Sequence, residues 1–266
     1  MRSHELAVDK DRVELGPNLL SGVSLPAAVV HEAPLAHNLM WMQRFAEAHG
    51  AHLAPHGKTT MTPALFHRQL QAGAWGITLA TAPQCRAAFA NGVTRLLMAN
   101  QLVGQANMAI IASLIEQGAA FYCVVDSHEN ARQLGRFFAE RGLTLSVLIE
   151  VGVEGGRCGC RNQQQILSLA EAIDNEPALY LAGLEGYEGV VHGDDPSQPL
   201  SVAGWEVTKI MDQHTFVRLS DDAQDVQIGD IVAFGASHPC LTFDKWRQLL
   251  LVDDALNVKE HMATCF

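Results

Sequence analysis

The sequence predicts an α/β chain, an incomplete (β/α) barrel followed by a small C-terminal antiparallel β-domain. Three observations predict it. From Ala51 to about Tyr187, short apolar runs alternate with helix-periodic segments, at a spacing of roughly 20–30 residues that signals βαβ units and a parallel sheet. Glycines stand where helix C-caps belong, at Gly73, Gly92, Gly118 and Gly142. Beyond Val191–Gly204 the texture changes to apolar–polar alternation, the pattern of half-exposed strands.

The elements follow in order. AHLAP (51–55) is the first strand, WGITLA (75–80) the second, RLLMAN (95–100) the third, FYCVVD (121–126) the fourth, LSVLIEVG (145–152) the fifth and LYLAGLEGY (179–187) the sixth. Helical periodicity fills the intervals at Pro63–Ala72, Pro83–Asn91, Gln105–Gln117, Ser127–Arg141 and Asn162–Asn175, with Ser127 and Asn162 as N-caps. Six βα units are recognisable, whereas a closed barrel needs eight. The stretch VHGDDPSQPLSVAG (191–204) breaks the rhythm. After it, WEVTKIMDQHTFVRL (205–219) reads as a strand pair, and IGDIVAFG (228–235) and RQLLLVDD (247–254) as further strands. The organisation is therefore a barrel over 27–193, a junction over 194–204 and a β-domain over 205–266. Leu15–Val30 is a candidate source of added strands, with residues 1–26 packing on the β-domain.

Composition narrows the function classes. Hydrophobic residues make up 48% of 266, enough for a packed core. A net charge of −11 argues against nucleic-acid binding, which wants basic patches, and suits work on small molecules. The charged N-terminus MRSHELAVDKDRVELG lacks the apolar stretch of a signal peptide, and no apolar run has membrane-spanning length. The six cysteines show no disulfide-framework spacing and no CxxC pair. The expected setting is the reducing cytoplasm, with no membrane partner.

Functional residues in βα barrels sit just past the C-terminal ends of strands. Those positions hold His56-Gly57-Lys58-Thr59-Thr60, Thr81-Ala82-Pro83-Gln84, Asn100-Gln101, Asp126-Ser127-His128, Glu150 with the loop Gly152–Cys160, and Tyr187-Glu188-Gly189. One lysine, one arginine (Arg157) and one tyrosine thus share one rim. Lys58 is either a solvated surface amine or a Schiff-base nucleophile, a role that burial and nearby positive charge favour. Gly57 lets the backbone pass close to a ligand. Arg157, in the glycine-rich GVEGGRCGC, either offers its donor fork to a ligand or pairs with a surface carboxylate. Tyr187 is either a ligand-facing phenol or a core aromatic. His238 and Cys240 lie two apart on an extended segment and so share one side. Imidazole and thiolate are both zinc ligands, yet two are fewer than a site usually needs. Cys158 and Cys160 read as small loop residues.

Taken together, these residues resemble a family. Pro55-His56-Gly57-Lys58-Thr59, the Gly152–Gly159 loop with Arg157, Gly186-Tyr187-Glu188-Gly189, Gly229-Asp230 and Ser237-His238-Pro239-Cys240-Leu241-Thr242-Phe243-Asp244-Lys245-Trp246 look like the fold-type III pyridoxal-phosphate enzymes of the D-serine dehydratase and D-threonine aldolase group. Those enzymes pair an alanine-racemase-like barrel with a small β-domain. The resemblance implies that Lys58 carries pyridoxal 5′-phosphate and later acts as base at the substrate α-carbon. It implies that Arg157 lies near the ring oxygen, that Tyr187 faces the ring nitrogen, and that His238 and Cys240 bind zinc or another divalent metal. The implied reaction removes water and then ammonia from D-serine or a related 3-hydroxy-D-amino acid. Aldol cleavage, as in D-threonine aldolase, is the alternative, as is a catalytically impaired cofactor- or metal-binding protein. The His-x-Cys pattern favours the dehydratase side over the His-x-Asp of the aldolases. Against the family the chain is short, and the shortfall falls between Gly193 and Gly204, where barrel strands seven and eight and the phosphate-binding loops belong. Dimers are common among such enzymes, and an unclosed sheet adds pressure to associate, so a homodimer stays open.

Overall fold

A computed structural model describes residues 16–187, 206–211, 214–218 and 242–266. The predicted junction, the run 228–235, and His238 with Cys240 lie outside the described residues.

Five parallel strands form the main sheet, in the order β2 (Ile77–Leu79), β3 (Arg95–Gln101), β4 (Ala120–Val125), β5 (Leu145–Val151) and β6 (Leu179–Gly186). Strand order equals chain order, because each connection is a single helix: α4 (Ala82–Ala90), α5 (Gln105–Glu116), α6 (His128–Ala139) and α7 (Gln163–Asp174), with α3 (Pro63–Gln71) leading into β2. Alternate strand residues, among them Ile77, Leu96, Met98, Phe121, Cys123, Leu145, Val147 and Ile149, share one core with Phe66, Ala88, Ile111, Leu134, Phe138 and Ile173 from the five helices. All the helices therefore cover the same face. That is the layering of a barrel wall, not of a sheet sandwiched between helices. The other face carries Thr78, Leu97, Tyr122, Ser146 and Leu148 in register across neighbouring strands.

The helix signals act locally, and the structure uses them as read. Ser127 and Asn162 cap α6 and α7, their side chains accepting from the backbone N–H of Asn130 and Gln165. The four predicted C-cap glycines all have positive φ.

The first predicted strand behaves differently. Residues 51–55 run beside β2 without forming a regular strand. Leu53 and Pro55 carbonyls accept from Trp75 and Thr78 N–H, at 2.7 and 2.9 Å, and His56 makes a lone parallel bridge to Thr78. The segment ends in Pro55, which has no N–H, so the ladder cannot extend. A helix that the apolar rhythm did not mark, α2 (Glu32–Ala48), precedes it.

A second sheet draws on both chain ends. β1 (Val29–His31) pairs parallel with β9 (Gln248–Val252), and β9 pairs antiparallel with β10 (Val258–Ala263). The small sheet is thus antiparallel in its C-terminal pair, with one parallel strand added from Leu15–Val30. One face packs Leu249, Leu251 and Met262 on Ala64 and Leu65 of α3 and on Phe243 and Trp246. The strands β7 (Glu206–Met211) and β8 (His214–Arg218) form an antiparallel hairpin in a compact unit of its own.

Candidate active site

Lys58 sits on a short 3-10 turn, Gly57–Thr59, at the end of the first strand-like segment, with its side chain exposed. The turn is seated on the core. A Cβ at Gly57 would stand 2.6 Å from Cε1 of Phe66 and 2.9 Å from Cγ2 of Ile77. Gly57 is therefore required by packing against α3 and β2. The turn closes with Met61 N–H donating to the Gly57 carbonyl at 2.9 Å. Met61 is buried with φ of +40°, a strained region for a side-chain-bearing residue. Its carbonyl accepts from Cys265 N–H at 2.7 Å, so the C-terminal strand holds the lysine turn from outside. Desolvation and the Lys58 charge push the His56 imidazole down to about 4, against a backbone hydrogen bond with Thr78 that raises it. His56 is neutral at physiological pH and adds no second positive charge beside the amine.

The opposite margin of the sheet gathers the other rim residues. Glu150, buried at the end of β5, accepts from Gln101 Nε2 at 2.7 Å and from Cys158 Sγ at 2.9 Å. Burial and the hydrogen bond to Glu150 push the Cys158 thiol up, so it stays protonated and donates. Arg157 is held above its ordinary value, first by its interaction with the Cys158 side chain and further by the charge of Glu150. Cys158 and Gln101 thus meet at Glu150, and Cys158 adjoins the exposed Arg157 in the chain. Tyr187, just past β6, is 68% exposed, which excludes the core-aromatic reading. Glu185, in register with Glu150 on β6, is pushed up by burial and by that neighbouring carboxylate.

The structure therefore puts Arg157 past β5 and Tyr187 past β6, two paired strands, and sets Lys58 beside β2 at the other margin of the same sheet. Sequence reasoning placed Glu150 and Gln101 at strand ends but gave them no role, and took Cys158 as a small loop residue. The signal was their position at strand ends, and only the fold shows that they meet. Among the described residues, no cluster of histidine, cysteine and carboxylate side chains could hold a metal. No described helix is long and apolar enough to cross a membrane.

Comparison with known proteins follows the same residues. The family model of a serine dehydratase domain matches residues 162–252. D-threonine aldolase of Arthrobacter sp is 33% identical over 172 residues, 65% of this chain and 45% of that protein. D-threo-3-hydroxyaspartate dehydratase of Delftia sp. (strain HT23) is 32% identical over 145 residues, 54% of this chain and 38% of that protein. A D-threo-3-hydroxyaspartate dehydratase has been solved with a histidine replaced, and with a cysteine replaced in a metal-free form. The crystal structure of D-threonine aldolase from Filomicrobium marinum superposes with a TM-score of 0.61 at 29% identity, covering 64% of this chain and 46% of that one. The chain thus spans less than half the length of these relatives. Over that span it is similar to the fold-type III pyridoxal-phosphate enzymes of the D-serine dehydratase and D-threonine aldolase group.

Proposed function

We propose that the chain is a pyridoxal-phosphate-dependent lyase acting on a 3-hydroxy-D-amino acid. The observation that carries the reading is the exposed Lys58 amine on a core-seated turn at the rim that also holds Arg157 and Tyr187. The donor set fits the cofactor: an amine for its aldehyde, a guanidinium fork for its ring oxygen and a phenol for its ring nitrogen. When bound, the cofactor supplies an electron sink for charge that develops at the substrate α-carbon. Lys58 Nζ would hold the cofactor and would serve as the base that takes the substrate α-proton. Neutral His56 leaves that amine free of a cationic neighbour on its own turn. Arg157, backed by Cys158 and Glu150, presents a fixed donor fork. Tyr187 offers a neutral phenol, which does not fully protonate a ring nitrogen, so the sink is weaker than one with a carboxylate partner.

His238 and Cys240 are the proposed ligands of zinc or a similar divalent metal. Their support is the sequence and a D-threo-3-hydroxyaspartate dehydratase whose replaced histidine and cysteine are likewise two positions apart. A Lewis acid there would hold the substrate hydroxyl and help it leave. On this reading D-serine yields pyruvate and ammonia, with the water lost in elimination regained on release of the imine. The aldolase relatives support a second outcome, cleavage of D-threonine to glycine and acetaldehyde. A third reading, cofactor binding without turnover, is favoured by the short span relative to those proteins and by the brevity of 193–204, where the phosphate-binding loops belong. Incubation with pyridoxal phosphate and zinc is expected to give the visible band of a lysine-bound pyridoxal chromophore, absent in Lys58→Ala. Product analysis with D-serine, D-threo-3-hydroxyaspartate and D-threonine separates the three readings: keto acid, aldehyde, or neither. A folded wild-type protein that shows no band at saturating cofactor overturns all three.

A further inference from the structure

We propose that Arg161 is a positioning residue, a clamp inside the 152–160 loop that fixes where Arg157 is presented. The inference rests on the reading of Arg157 as a cofactor ligand. Arg161 Nη1 donates to the carbonyls of Cys158 at 2.5 Å and Gly159 at 2.6 Å, and Nη2 donates to the carbonyl of Gly156 at 2.6 Å. Two of those carbonyls belong to the residues on either side of Arg157. Carbonyls turned toward the inside of a loop need donors, and one planar guanidinium can serve several along fixed directions. The stem of the clamp is anchored in turn, because Arg161 N–H donates to Gln165 Oε1 at 2.6 Å in the first turn of α7.

Gly152 is the complement of the clamp. A Cβ at 152 would stand 2.0 Å from Arg161 Nη1 and 2.0 Å from the Cys158 carbonyl oxygen. The neck of the loop is closed separately. Gly152 N–H donates to the Cys160 carbonyl at 2.9 Å, Cys160 N–H to the Glu150 carbonyl at 2.7 Å, and Gly159 N–H to Asp126 Oδ2 at 2.9 Å. With the neck tied to β4 and β5 and the interior filled by Arg161, the exposed Arg157 projects from backbone that is held on both sides.

Amide hydrogen exchange on the cofactor-free protein tests the clamp, and pyridoxal phosphate titration tests its purpose. Arg161→Met is expected to speed exchange across 153–160 and to weaken cofactor uptake by roughly tenfold, the scale of a lost charge-assisted hydrogen bond. Arg161→Lys, whose ammonium lacks the planar fork, is expected to fall between. Gly152→Ala should reproduce Arg161→Met, and the double variant should be no worse than either. In an Arg157→Met background, Arg161→Met should cost no further uptake, an outcome that a merely structural role would not produce. Unchanged exchange in Arg161→Met, or a full further loss of uptake in the Arg157→Met background, overturns the proposal. A wild-type protein that takes up no pyridoxal phosphate overturns the functional reading instead, and the exchange data then decide the clamp alone.

Discussion

A methyl group added at Gly57 meets the ring of Phe66 and the side chain of Ile77 inside normal contact distance. Gly57→Ala is expected to destabilise the fold by about 1–3 kcal/mol, the usual cost of overpacking, measured by denaturant unfolding. It also shifts the turn that carries Lys58, so cofactor uptake should fall with it. His56 predicts a pH dependence. Its folded-state value of about 4 lies below the ordinary 6.5, so between those values the unfolded chain binds a proton that the folded chain does not. Stability should therefore fall as pH drops from 6.5 toward 4 and gain nothing above that window. The ring keeps part of its surface in solvent, which moderates the effect. Melting temperatures of wild type and His56→Gln across this range check it: the gap in slope should vanish above pH 7. On the far margin, Cys158→Ala removes the bond that ties the Arg157 loop to Glu150. It should weaken cofactor uptake while barely moving the melting temperature, because Cys158 lies in a rim loop outside the core cluster.

The element that seats the site is α3. It begins at Pro63 directly after the lysine turn, buries Phe66 beneath Gly57, and carries Arg68, which pairs with Glu260 on β10. Phe66→Ala should cost about 3–5 kcal/mol of stability, read from denaturant unfolding. Arg68→Met should cost no more than about 1 kcal/mol, because both partners are partly exposed and screened. The contrast separates packing from charge as the force that holds the turn. Helices α3 to α7 were legible from sequence because their signals are local: Pro at a start, Ser127 or Asn162 as cap, glycine past the end; α2, which lacks a side-chain cap, was not. The first strand was not, because its fate depended on Pro55 facing a partner strand that local pattern does not reveal. The parallel docking of β1 on β9 joins residues more than 200 positions apart, and no periodicity carries that information.

Across the whole molecule, the described sheet ends on β6, whose Tyr180 and Leu184 are 61% and 59% exposed. On α2, Trp41 and Phe45 stack at 5.5 Å while largely exposed to solvent. Outer strands with unpaired backbone groups and apolar side chains template association. Leu184→Lys is expected to reduce light scattering at a given concentration with little change in melting temperature. An unchanged scattering profile would show that β6 is not the surface involved.

The sequence by itself determined the βα rhythm, the order of the parallel strands and the residue types on one rim, because apolar period, caps and turn glycines act over a few residues. It also marked Lys58, Arg157 and Tyr187 as belonging to a family pattern. Only the tertiary structure decided that Gly57 serves the core, that Cys158 donates to Glu150, and that Gly152 makes room for Arg161. Each of these is a contact between side chains or backbone brought together by folding, and its energy depends on distances that no local pattern encodes.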